Sequence, residues 1–86
     1  MSYTLSFSNI VKRELARLET RLAQRVIAKI EALVENPWPS GCAKIEGRKN
    51  AWRVRVGDYR VLYEVDREKK VVDVVAVKHR REAYDR

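Results

Sequence analysis

The chain has 86 residues, enough for one small domain over residues 1–86 and too few for a second core. Nineteen Lys and Arg against twelve Asp and Glu give a net charge of +7, so the expected partners are anionic: nucleic acid, an acidic protein or an anionic membrane surface. The single cysteine, Cys42, excludes an intrachain disulfide and a cysteine-rich metal framework. No run approaches the roughly 18 apolar residues of a membrane span, and no secretory leader opens the chain, so a soluble cytoplasmic protein is expected. Charge is unevenly placed: residues 1–43 hold six basic against four acidic side chains, residues 44–86 thirteen against eight. A basic function therefore belongs to the second half.

Tyr3-Thr4-Leu5-Ser6-Phe7 alternates with period two and predicts a first strand, after which Ser8 caps a helix start. From Asn9 to Glu35, Val11, Leu15, Leu18, Leu22, Val26, Ile30 and Leu33 recur every three or four positions, the stripe of an amphipathic helix. Periodicity alone allows one helix of about seven turns at roughly 3.6 residues each, or two with a break near Glu19-Thr20, where Thr20 is a candidate cap. Arg13, Arg17, Arg21, Arg25 and Lys29 are spaced by four and would form a basic ridge on a continuous helix. An ordinary solvated face is the more economical account of them. Asn36-Pro37-Trp38-Pro39-Ser40-Gly41 ends the helical region, with Trp38 placed to close the core. An irregular loop to about Asn50 follows, made basic by Lys44, Arg48 and Lys49.

Trp52 to Val56 and Tyr59 to Val65 both alternate, and Gly57-Asp58 between them predicts a two-residue hairpin turn. Counting outward from that turn pairs Val56 with Tyr59, Arg55 with Arg60, Val54 with Val61, Arg53 with Leu62 and Trp52 with Tyr63. One face is then apolar and the other collects Arg53, Arg55 and Arg60. Two arginines directly opposite each other are mildly destabilising, which suggests that a polyanion belongs there. Asp66 to Lys70 is a polar turn, and Val71-Val72-Asp73-Val74-Val75-Ala76-Val77 has valines on both faces, as a central strand does. Lys78 to Arg86 is a short basic tail.

The hairpin, the valine strand and His79-Arg80-Arg81-Glu82-Ala83-Tyr84, in that order, resemble the RelE/ParE toxin superfamily. The similarity also takes in the opening strand, the helical region ending in Asn36-Pro37 and the loop through Lys44-Ile45-Glu46-Gly47. It favours the helical hairpin over the single helix and completes an α+β fold of order β-α-α-β-β-β. That fold is a small, antiparallel-rich four-stranded sheet with an N-terminal helical hairpin on one face and a short C-terminal tail or helical turn. Resemblance to the RelE branch implies a toxin of a toxin–antitoxin pair, in hetero-oligomeric complex with a cognate antitoxin, that cuts mRNA in the ribosomal A site. ParE-like members inhibit DNA gyrase instead, and an RNA-binding module without turnover is a further alternative. The catalytic positions implied by the resemblance are Arg53, Arg55, Arg60, one of Arg80 or Arg81, and Tyr84.

RNA carries its own nucleophile, the 2′-OH, so an enzyme need only align it, stabilise the charged phosphorane and move two protons. Arg55 and Arg60 suit a phosphate clamp, since the guanidinium pairs bidentately and stays charged. Lys44, Arg48, Lys49, Arg53 and Arg80 are expected to add RNA contacts. The best-studied RelE members have lysines where Arg53 and Arg55 stand, and an arginine cannot act as base. His79, the only histidine, is the candidate for proton exchange near neutral pH, with Arg81 supporting the transition state and Tyr84 stacking on a base. No constellation of acidic residues suggests a metal, and neither metal nor other cofactor is expected.

Overall fold

The computed structural model describes residues 2–81. Its elements are β1 (Thr4–Phe7), α1 (Asn9–Ala16), α2 (Thr20–Ala32), β2 (Ala43–Lys44), β3 (Ala51–Val56), β4 (Tyr59–Asp66) and β5 (Val71–His79). Five strands form one mixed sheet in the order β1-β5-β4-β3-β2, with β1 parallel to β5 and the other pairs antiparallel. The α+β class follows the sequence expectation, while the strand count is one higher. Ala43 and Lys44, expected in an irregular loop, pair with Arg53 and Trp52 as a two-residue edge strand. Such a strand is too short to show alternation in sequence.

The helical region breaks after Ala16, where the N–H of Arg17 turns back to the carbonyls of Glu14 and Leu15. Ser8 caps α1, its Oγ accepting the N–H of Val11 at 3.2 Å, an interaction that contributes about 1 kcal/mol. Glu19, rather than Thr20, occupies the N-cap of α2, and its side chain makes no capping bond. The break also divides the basic ridge, leaving Arg13 and Arg17 with α1 and Arg21, Arg25 and Lys29 on α2.

Both helices cover one face of the sheet. Val11, Val26, Ile30 and Leu33 pack against Val54, Val56, Val61, Tyr63, Val65, Val72, Val74 and Val77, and this is the core. Each such aliphatic side chain contributes about 1.5–3 kcal/mol through the area it removes from water. Tyr63 is fully buried and donates its hydroxyl to the Pro37 carbonyl at 2.6 Å, tying the segment after α2 to the centre of the sheet. Burial, reinforced by the neighbouring Cys42 thiol, pushes its phenol well above the ordinary range. Trp38 packs against the core as expected, in edge-to-face contact with Tyr3 and Trp52, and Arg67 lies 4.6 Å from its ring centre.

The β3–β4 register is the one counted from the turn, from Val56 opposite Tyr59 to Trp52 opposite Tyr63. Gly57 has φ +58, which suits the first central position of a tight hairpin turn. A Cβ there would lie 3.9 Å from both terminal nitrogens of Arg25, so α2 reaches the hairpin tip. Between β4 and β5 the register slips: Leu62 pairs with Ala76 but Tyr63 pairs with Val74, leaving Val75 as a bulge.

Candidate functional site

The face of the sheet away from the helices carries the cations. Residues paired across neighbouring strands project to the same side. Arg55 on β3 pairs with Arg60 on β4, and Arg60 pairs with Lys78 on β5. Three cationic side chains thus stand in one row across three strands, rooted within about 10 Å at the usual strand spacing. Arg53 lies two residues along β3 from Arg55, half-buried between Ala43 and Leu62. Arg55 is exposed, whereas Arg60, expected as an open basic side chain, is only 5% exposed. The middle of the row is therefore sunk into the protein and its β3 end is open to solvent.

Lys78 is the member of the row that sequence reasoning missed. Its Nζ lies 2.8 Å from Glu14 Oε2 on α1, while Glu14 Oε1 accepts the N–H of Val77 at 2.7 Å. The signal for Lys78 is its place beside Arg60, but reading it requires the bulge. Counting strictly from buried Val72 and Val74 would send Lys78 toward the core and His79 to the open face. Val75 adds one residue and exchanges them.

His79 accordingly pairs with Tyr59, and their rings meet edge to face with centroids 5.2 Å apart. It stands at the end of β5, on the side of the sheet that Tyr59 shares with Val61 and the helices, one residue beyond Lys78. Its Nδ1 accepts the N–H of Arg81 at 3.3 Å, so in the neutral ring Nε2 carries the hydrogen. Arg80 and Arg81 are exposed, and the N–H of Arg80 donates to the Asp58 carbonyl at 2.7 Å, clamping the chain after β5 to the hairpin turn. Tyr84 lies outside the described residues.

Lys44, Arg48 and Lys49 are not gathered with the row. Lys44 lies over the Trp52 ring, 5.9 Å from its centre, and Arg48 forms an ion pair with Glu64, four residues along β4 from Arg60. Among the described residues, no group of three His, Cys, Asp or Glu side chains is placed to hold a metal ion. No helix among them is long and apolar enough to cross a membrane.

What this arrangement offers is a fixed line of cations on a rigid sheet, shaped for an anion of extended charge such as a phosphodiester chain. A two-helix layer, a mixed sheet and a basic open face define a small toxin fold, and comparison with known proteins agrees. Residues 5–84 match the family described as ParE toxin of type II toxin-antitoxin system, parDE, and the chain belongs to that family, within the RelE/ParE superfamily. Over 87 aligned residues, covering all of both chains, it is 30% identical to Toxin RelG of Mycobacterium tuberculosis. Its fold superposes on the toxin of the archaeal RelE–RelB complex from Pyrococcus horikoshii with a TM-score of 0.83 at 29% identity, covering 93% of this chain and 97% of that one. A mutant of E. coli toxin RelE in the free state gives 0.81 at 26% identity, covering 99% and 90%. The protein is thus a toxin of a toxin–antitoxin system of the RelE/ParE type.

Proposed function

We propose that this toxin is a ribosome-dependent endoribonuclease that cuts mRNA in the ribosomal A site and so stops translation. The observation that carries the reading is the row Arg55–Arg60–Lys78 on the open face of the sheet. In the reaction a bond forms between the 2′-oxygen and phosphorus while the bond from phosphorus to the 5′-oxygen breaks. A 2′,3′-cyclic phosphate and a free 5′-hydroxyl remain. Exposed Arg55 holds a non-bridging oxygen as negative charge builds on the phosphorane, a contact of the kind whose removal slows a reaction roughly hundredfold or more, and Arg60, sunk beside it, adds positive charge from behind. Lys78, the one amine of the row, carries protons that it can release to the departing 5′-oxygen, which arginine cannot. His79 takes up the 2′-OH proton through water around the end of β5 once its Nδ1 releases the Arg81 N–H, Arg81 adds positive charge at the rim, and Tyr84 stacks on a nucleobase. Arg53 and Arg80 contact flanking phosphates.

In the same reading a cognate antitoxin binds the toxin and shields the cationic face in a toxin–antitoxin complex. Toxins similar to this one have been crystallised as RelB–RelE complexes from Pyrococcus horikoshii and E. coli. Copurification of the toxin with its co-encoded small protein tests that partner, and a toxin that elutes alone contradicts it. The family match to a ParE toxin favours one second reading, inhibition of DNA gyrase without chemistry. Primer extension on programmed ribosomes, run beside a gyrase supercoiling assay, separates the two. The nuclease reading expects new 5′ ends in the A-site codon and unchanged supercoiling.

A further inference from the structure

The carboxylate of Glu14 stands beside a cationic site without being part of the sheet. It lies on α1, 63 residues from Val77 in the chain, and its side chain is 16% exposed. On phosphate affinity alone it is unfavourable, since it places a negative charge 2.8 Å from the third cation of the row. Its two oxygens do different work. β1 pairs with β5 from Val71 to Val74, so among the described residues no strand lies beside the outer edge of the second half of β5. Glu14 Oε1 accepts the Val77 N–H on β5, satisfying a backbone donor. Oε2 holds the ammonium of the next residue, Lys78.

From this we infer that Glu14 is a positioning residue of the toxin's site: it fixes the Lys78 ammonium at the β5 end of the row, where a substrate phosphate meets it. The inference rests on the reading of the row as an RNA-cleaving face. A lysine head group sits on a flexible four-carbon stem, and next to Arg60 it would be driven away by like charge. The carboxylate counters that repulsion and restricts the stem before RNA arrives. Lys78 is thereby held close to where the leaving oxygen develops charge. Misplacing a reacting group by about 1 Å is enough to slow a reaction roughly hundredfold.

Glu14→Gln separates this role from simple anchoring. The carboxamide oxygen can still accept the Val77 N–H, but its NH2 then faces the Lys78 ammonium, donor against donor. Cleavage of mRNA on programmed ribosomes is measured for the wild type, Glu14→Gln, Lys78→Ala and the double variant, with thermal melting of each. The inference expects Glu14→Gln to melt near the wild type and to cleave about ten- to hundredfold more slowly at saturating ribosome, with little change in KM. It also expects the double variant to be no slower than Lys78→Ala, because both changes remove one unit. Wild-type rates in Glu14→Gln, or effects that multiply in the double variant, overturn the inference and leave the nuclease reading standing. A wild type that cleaves nothing overturns both.

Discussion

At the hairpin-tip end of the open face the cross-strand row is Arg55, Arg60 and Lys78; at the other end the equivalent row is Ser6, Asp73 and Glu64. Both rows arise from the same rule, that paired residues on adjacent strands share a face. Their surroundings differ. The far row borders a hollow of about 600 Å³ whose lining mixes Glu64, Asp66, Glu68 and Asp73 with Arg67 and Lys69, and Glu64 is already paired with Arg48. At the tip row the carboxylate of Glu14 reaches the last member, Lys78. In the proposed reading a polyanion meeting this face is attracted more strongly at the tip than at the far end, so charge sorting along β4 would supply an orientation as well as an affinity.

The contrast is broken most strongly at Arg55. Because that side chain is exposed, Arg55→Ala should fold and melt like the wild type while RNA cleavage falls roughly hundredfold or more. An unchanged melting temperature beside undiminished cleavage would detach the row from the chemistry. Affinity gives a graded version. In filter binding with a short single-stranded RNA, losing one phosphate contact in Arg55→Ala should make the logarithmic salt dependence shallower by about 0.7. Asp73→Lys, which cancels the net negative charge of the far row, should steepen it by a similar amount and tighten binding; no change would show that RNA never reaches that end.

Tyr63 lies below both ends of the face and should affect stability without affecting the charge pattern. Tyr63→Phe leaves the Pro37 carbonyl without its donor and should lower unfolding free energy by about 1–3 kcal/mol in a denaturant titration. The pH dependence has a definite sign. Burial raises the folded-state pKa of this phenol above its unfolded value near 10, so its contribution is complete below about pH 10 and lost as pH rises further. Alkaline unfolding of Tyr63→Phe should lack that component. The smallest effect is expected from Arg48→Ala. Arg48 and Glu64 are both solvent-accessible, and such a pair contributes about 0–1 kcal/mol, so its stability should stay close to that of the wild type.

Much of this comparison was legible in the sequence, but unevenly. The Arg55–Arg60 pair followed from a two-residue turn and alternation on both strands, where counting admits one register. The helix break was placed near Glu19-Thr20, next to where it falls, by the family resemblance and a candidate cap at Thr20, since the apolar stripe alone also allows one continuous helix. Lys78 and His79 were harder. Valines or alanine at 71, 72 and 74–77 suit either face, so nothing in the composition of β5 marks Val75 as the bulged residue that sets the direction of everything after it. Burial of Arg60 was equally hidden, since alternation assigns a face and not a depth. Glu14 was out of reach for a different reason: its role depends on a contact between residues 63 positions apart, and on a helix it looks like one more solvated charge.

The most direct test of the cationic row is to map 5′ ends of a message on programmed ribosomes exposed to the wild-type toxin and to Arg55→Ala. The account predicts new ends within the A-site codon for the wild type and their loss in the variant. An intact message with the wild type, or equal cleavage by both, would contradict it.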